Sequence, residues 1–415
     1  MSIDPVLTLD PSLGLVSSAT VYLPNDVGLW RTVASLANGR PDGKGFATAV
    51  GAFDVKKRSS MTRGAGEAVE RFALAPMAAD SEHLRAATDR AARDATDKRI
   101  DFVSAGLGRA SALAFDFPWY RATDLLTGQE SHVPAPAVDY AAGGSTHPDP
   151  WSGFFDPSPN GAASGPSESF AQASGIGEVI ERDAFLSAWR QRVPLHEFVA
   201  GAMPADVLVA PGTRGLLLLL EAARKTDIAP TLAFIPQGKS PLHIAVCFIT
   251  GDTGHGHFGA VGLKAAADPV AALRGALQEG LQIRELFLSR MPSAVPSPQV
   301  IDDESRAEFW TTGQALAELL LWVRTFRPAH FPQVKPIPNV DVLVKFLAGR
   351  DIRSHWVSLT HRLPAAIQEL GWVAGKAICP GAVPLTMDET KGLVQMPSGS
   401  VCDPSGMSLT PHPLI

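Results

Sequence analysis

Two short stretches of the chain carry the same order of chemistry-bearing residues: Gly64-Ala65-Gly66-Glu67-Ala68-Val69-Glu70-Arg71 and Gly175-Ile176-Gly177-Glu178-Val179-Ile180-Glu181-Arg182. In each, two carboxylates stand three residues apart, which puts them on one face of a helix, and an arginine follows at once. Facing one another, two such helices gather four glutamates and two arginines. Carboxylate oxygens hold hard cations, the cations hold a polyphosphate, and arginines grip the same polyphosphate through charge-assisted bonds. The competing reading is a solvated helix face, since Glu67 with Arg71 and Glu178 with Arg182 are also i,i+4 pairs, each worth about 0.2–0.5 kcal/mol. Repetition favours the site. A solvated face has no need of Gly-x-Gly-Glu ahead of the pair, nor of an apolar run behind it (Phe72 to Leu74, Ala184 to Leu186), in both copies.

A third polar helix adds Glu279 and Gln282 one turn apart, with Arg284 outside that narrow stripe, so the three need not converge. Other chemistries fit poorly. Gly43-Lys44-Gly45 lacks the preceding glycine and the following Ser/Thr of a P-loop. His255-Gly256-His257 has the spacing of one strand face but no further Cys or His cluster for zinc. No Gly-x-Ser-x-Gly elbow exists, and Trp189 reads as core packing.

The elements that must position these residues follow from periodicity and turn chemistry. Helices are expected over Ser60 to Ala75, stopped by Pro76, then Glu82 to Lys98, Ser167 to Arg190, Thr213 to Lys225, Asp268 to Arg290 and Glu304 to Phe326. Strands are expected at Val21 to Leu23, Thr231 to Ile235, His243 to Thr250, His257 to Leu263, His355 to Leu359 and Val373 to Ile378, the middle three as a central antiparallel sheet. Gly39 to Gly45 is a turn-rich loop. The Pro/Gly/Ser-rich stretch 132–165 reads as an ordered functional loop because it runs straight into a motif helix. No Gly-rich break divides the chain, so 1–415 reads as a single domain, with a tail over 386–415.

Composition bounds the partners. The net charge of −6 and a pI near 6.0, with no Lys/Arg cluster interleaved with aromatics, argue against nucleic acid. The longest apolar run, Ile244 to Ile249, is too short for a membrane span, and Met1 to Leu15 has no basic region of a secretory signal. Cys247, Cys379 and Cys402 are widely spaced, which suits a reducing cytoplasm.

Taken in order, Glu67 to Arg71, Asn160 to Ala184, Ala276 to Arg284 and Pro380-Gly381-Ala382-Val383-Pro384-Leu385 resemble the YcaO-domain proteins, over about Gly43 to Leu385. The resemblance implies an α+β YcaO-like fold of antiparallel sheets and packed helices. It implies an enzyme that uses ATP and Mg2+ to activate a backbone amide of a ribosomally made precursor peptide. Glutamates like Glu67, Glu70, Glu178 and Glu181 would hold magnesium, and arginines like Arg182 and Arg284 would meet the phosphates; Arg71, Glu279 and Gln282 are assigned to the same nucleotide site. A side-chain nucleophile gives an azoline, sulfide a thioamide and an amine an amidine. Pro166 and Phe170 stand where many members carry Asn and a Glu four residues later; a catalytically silent scaffold is the rival these departures raise. Pro411-His412-Pro413 keeps two prolines of the Pro-x-Pro-x-Pro ending of azoline-forming members. With little chain ahead of the YcaO portion, the expectation is a stand-alone, divergent member resembling bottromycin-type enzymes that make a thiazoline or a macrocyclic amidine, here as a homodimer.

Overall fold

The computed structural model describes residues 3–38, 49–77, 80, 84–85, 98–140, 150–254, 256–290, 299–393 and 410–415. Among them are three sheets. The first is an antiparallel meander of β1 (Val16–Tyr22), β2 (Trp30–Leu36) and β3 (Ala49–Asp54). The second contains β4 (Leu84–Arg85), β5 (Trp119–Asp124), β6 (Glu130–Pro134), β7 (Ala162–Gly165), β13 (His355–Ser358) and β14 (Val373–Ile378), ordered β4-β5-β13-β14-β7 with β6 on β5. The third runs β11-β10-β9-β8-β12, from β8 (His196–Glu197), β9 (Thr231–Phe234), β10 (His243–Asp252), β11 (His257–Ala266) and β12 (Arg327–Pro328). Its backbone is the long antiparallel pair β10/β11, in register from His243 opposite Ala266 to Asp252 opposite His257. The α+β architecture is the expected one.

The helices of nine residues or more among the described residues are α1 (Lys57–Ala73), α2 (Glu168–Gln191), α3 (Thr213–Lys225), α4 (Pro269–Ser289), α5 (Gly313–Val323) and α6 (Val340–Ala348). Local chemistry starts several of them. Ser167 caps α2 by accepting from the Phe170 N–H, and Asp268 caps α4 with Pro269 at its first position. The helix expected over Glu304 to Phe326 is two: Asp303–Phe309 and α5. The first ends on Trp310 as its C-cap, and Thr312, with an extended backbone, accepts from the Ala315 N–H and caps the next. Of the helix expected over Glu82 to Lys98, the described segment Leu84–Arg85 instead pairs with β5 as a strand. The Gly39 to Gly45 loop, His255, Cys402, residues 141–149 of the 132–165 stretch and 394–409 of the tail lie outside the described residues.

Two buried apolar clusters meet around the motif helices. One joins α2, α3 and α4 to the third sheet through residues such as Ile180, Leu219, Leu273 and Val246. The other joins α1 to the first and second sheets through Val69, Phe72, Leu36 and Trp372. Three helices thus converge at the junction of three sheets, and close backbone approach seats them there. A Cβ on Gly64 would sit 2.8 Å from the Thr32 side chain, and one on Gly175 would sit 2.5 Å from the Gly161 carbonyl. The first glycine of each Gly-x-Gly-Glu is therefore a packing requirement, while a Cβ on Gly177 would meet nothing nearer than 4.0 Å.

Candidate active site

α1 is pinned to the first sheet by Ser60, whose hydroxyl donates to the Ala52 carbonyl at 3.0 Å and meets Thr32 Oγ1 at 2.8 Å. Ser164 on β7 donates to the Gly66 carbonyl at 2.9 Å, tying the same helix to the second sheet. α4 is fastened to β3 by two amides: Gln278 donates to the Phe53 carbonyl at 2.6 Å and Gln282 to the Gly51 carbonyl at 3.2 Å. The result is a cleft of about 330 Å3 whose polar wall includes Glu67, Arg71, Glu178, Arg182, Gln282 and Asp303. Val33, Phe53, Ile283, Leu385 and Leu414 form its apolar side.

The faces of the two duplicated motifs meet in this cleft. Arg71 Nε donates to Glu67 Oε1 at 3.0 Å and stands 3.8 Å from Glu70; Arg182 pairs with Glu178 at 3.7 Å and, across to α4, with Glu279 at 3.9 Å. Two carboxylates also serve the frame. Glu181 accepts from the Ala265 N–H, and Glu279 accepts from the Leu263 N–H at 2.7 Å, so both occupy donors on β11, the edge strand of its sheet. Arg284 points elsewhere: its guanidinium is held by Asp26 at 3.0 Å and Glu285 at 2.8 Å.

Five glutamates here face two arginines, and burial raises the pKa of three of them, Glu70, Glu178 and Glu279. Burial, reinforced by Glu67 and Glu178, holds the Glu70 carboxyl well above the usual range. Burial above all, opposed by Arg182 and reinforced by Glu181, pushes Glu178 up to about 7. Glu279 is raised by burial too, against the pull of Arg182. These carboxylates are not sealed off. Glu67 and Glu178 keep 35% and 27% of their side-chain surface accessible, as groups at the floor of a wet cleft do.

The donor set fits a metal-bound polyphosphate. Arg182 Nε is buried without a hydrogen bond, 3.7 Å from Glu178 Oε1 and so able to donate to a phosphate oxygen, while neighbouring carboxylates outnumber the arginines. Among the described residues no three His, Cys, Asp or Glu groups form a ready-made cage. Mg2+ does not need one, because it takes one or two carboxylates and completes its shell with water and phosphate oxygens.

Several contributors have no motif signature. Asp303 enters from the short helix Asp303–Phe309. Behind the cleft wall, Lys376 on β14 is buried with its side-chain amine on the Ala137, Val138 and Ser158 carbonyls; burial pulls it down to about 7, opposed by the Asp139 and then the Glu178 charge. The last residues come back to the cleft. Trp189 donates to the Thr410 carbonyl at 3.1 Å, and Trp310 and the buried Arg306 both reach the His412 carbonyl, which leaves Leu414 and Ile415 on the cleft wall. Trp189 is thus core, as expected, and an anchor for the tail as well. Asp183, next to Arg182, accepts from the Val383 N–H at 2.9 Å and holds the Pro380 to Leu385 segment against α2. His257 pairs with Asp252 on an exposed hairpin end, away from this cleft.

A family model described as YcaO cyclodehydratase, binding ATP and Mg2+, matches residues 55–383. The chain belongs to the YcaO family. Its fold is similar to that of a heterocyclase solved with substrate and cofactor, with TM-score 0.72 and 16% identity over 99% of this chain. The chain spans only 57% of that heterocyclase's length. YcaO from Methanopyrus kandleri, solved with AMPPCP and Mg2+, is similar at TM-score 0.64 and 16% identity, over 95% of this chain and 94% of that one. The E. coli microcin synthetase McbBCD complex gives TM-score 0.56 at 15% identity, over 88% of each chain. No curated protein matches this YcaO chain in sequence. No helix among the described residues is long and apolar enough to cross a membrane.

Proposed function

We propose that this YcaO protein is an ATP-dependent cyclodehydratase acting on a ribosomally made precursor peptide, with a macrocyclic amidine or a thiazoline as product. The observation that carries the reading is the meeting of two Glu-x-x-Glu-Arg helices in one cleft, with Arg182 Nε free of any hydrogen bond. Mg-ATP, when bound, supplies the phosphoryl group that turns a peptide carbonyl oxygen into a leaving group. The chain's own residues do the rest. Glu67, Glu70 and Glu178 would share the magnesium ions, one or two carboxylates to each, with Glu181 contributing through the oxygen not used by β11. Arg71 and Arg182 would bind the triphosphate, concentrating positive charge where negative charge develops on transfer. Glu279 holds Arg182 in place, Gln282 holds β3, and the apolar wall excludes water. Arg284 holds Asp26 and Glu285 at the cleft's edge. The McbBCD complex solved with pro-MccB17 bound supports a peptide as the substrate.

A second reading, a silent scaffold for precursor peptide or partner enzyme, draws on Phe170. Its ring is 52% exposed at the start of α2 and closes over Gly165 where the resemblance calls for a carboxylate. Incubation with Mg-ATP and the precursor peptide encoded beside the gene separates the two. Loss of one water from the peptide by mass spectrometry supports the enzyme; peptide binding with unchanged mass supports the scaffold; gain of sulfur in place of oxygen, with sulfide present, marks the thioamide reaction.

A further inference from the structure

We propose that Asp303 is the general base that takes the proton of the attacking nucleophile when it adds to the peptide carbonyl, an inference that rests on the cyclodehydratase reading. Four carboxylates line the cleft: Glu67, Glu178, Glu285 and Asp303. The first three each hold an arginine, Glu67 on Arg71, Glu178 on Arg182 and Glu285 on Arg284. Asp303 has no hydrogen bond or ion pair among the described residues. The helix it begins does not need it, because Asp302 is the cap and accepts from the Ser305 N–H at 2.8 Å. It therefore presents a free acceptor from a fourth element, within the fields of Arg71 on α1 and Arg182 on α2. A group so placed stands beside the phosphate-binding arginines and outside the set of carboxylates assigned to the metal.

The step balances simply. The nucleophile's X–H bond breaks and its proton passes to an Asp303 oxygen. The X–C bond forms at the peptide carbonyl carbon, and the carbonyl π pair moves to oxygen, which the ATP phosphoryl group then takes. The C–O bond then breaks as phosphate leaves, the nitrogen lone pair forms the C=N bond, and the amide N–H proton and the proton on Asp303 pass to solvent. Burial raises the basicity of Asp303; Arg71, Arg306 and Arg182 counter it, while Asp302 on its own helix adds to it, and the Tyr140 phenol also lies within its field. A general base contributes about 100- to 10,000-fold to rate.

The test compares wild type, Asp303→Asn and Asp303→Ala for peptide turnover, Mg-AMPPCP affinity and melting temperature, with the precursor peptide encoded beside the gene as probe. The expected result is Mg-AMPPCP affinity within threefold of wild type, turnover down at least 100-fold, and partial rescue of Asp303→Ala by added formate. Two results overturn the proposal while leaving the cyclodehydratase reading intact: turnover within threefold of wild type, or equal loss of turnover and Mg-AMPPCP binding, which makes Asp303 part of the frame. Wild-type protein that never dehydrates the peptide removes the reading and the proposal together. Should Asp303→Ala fail to fold, the near-isosteric Asp303→Asn decides on turnover and affinity.

Discussion

Replacing Arg182 by Ala separates a phosphate-binding arginine from a helix ion-pair partner. The guanidinium is 16% exposed and pairs loosely, at 3.7 Å with Glu178 and 3.9 Å with Glu279. Breaking a buried pair commonly costs about 3–5 kcal/mol because a charge is stranded. Here the cost is capped. Glu178, already pushed up to about 7, takes a proton near neutral pH instead of remaining a stranded charge. A destabilisation of about 1–2 kcal/mol follows, a drop of a few degrees in melting temperature for a chain this long. The same Nε makes no hydrogen bond, standing 3.7 Å from Glu178, so it is a preorganised donor for charge developing on the phosphoryl group, and loss of one such donor costs about 100- to 1,000-fold in turnover. Phosphate release stimulated by precursor peptide, measured beside thermal melts, gives both numbers on one preparation. Adding Glu178→Gln should restore most of the lost stability and none of the turnover. Intact turnover with a lowered melting temperature would instead make Arg182 a structural cation.

Three further outcomes follow from the same geometry. Because Glu178 titrates from 4.5 to about 7 on folding, its stabilising protonation is complete below pH 4.5 and lost as pH rises through about 7. The melting temperature without metal should therefore decline across that window more steeply in wild type than in Glu178→Gln, and saturating Mg-ATP should flatten the difference; identical pH profiles would contradict the raised acidity constant. Gly175→Ala pushes a methyl group to 2.5 Å from the Gly161 carbonyl and should cost about 1–3 kcal/mol in chemical denaturation, whereas Gly177→Ala, in open space, should be neutral or stabilising. With Phe170 in place of a carboxylate, calorimetry should show weak Mg-ATP binding that tightens when precursor peptide is present, and equal affinity in the two titrations would sink that coupling.

The site was legible where chemistry and packing repeat together. Gly64 and Gly175 are each forced by a close neighbour, so the duplicated pattern marked two helices seated alike, and their Glu-Arg pairs came with them. Helices with strong caps were also readable: α3 spans the expected residues, and α4 starts after Asp268 as its Asp-Pro pair requires. The first sheet was nearly invisible. β1 is an edge strand whose Ser17, Ser18 and Ala19 give no apolar alternation, and β2 buries Thr32 and Ala34, which are small or polar. Dual use was equally hidden. Nothing in spacing says that Glu181 and Glu279 each spend an oxygen on β11, that Arg284 turns to Asp26, or that Asp303 reaches the cleft while Asp302 caps its helix. Those facts depend on which distant backbone lies opposite, and they appear only once three sheets abut.

Whether α1 and α2 share one magnesium-nucleotide site is decided by a crystal structure of the protein with AMPPCP and Mg2+. Magnesium should lie about 2.1 Å from carboxylate oxygens contributed by both helices, with Arg182 Nε on a phosphate oxygen. Nucleotide bound away from the cleft, or metal held by one helix alone with Arg182 still on Glu178 and Glu279, would contradict a shared site.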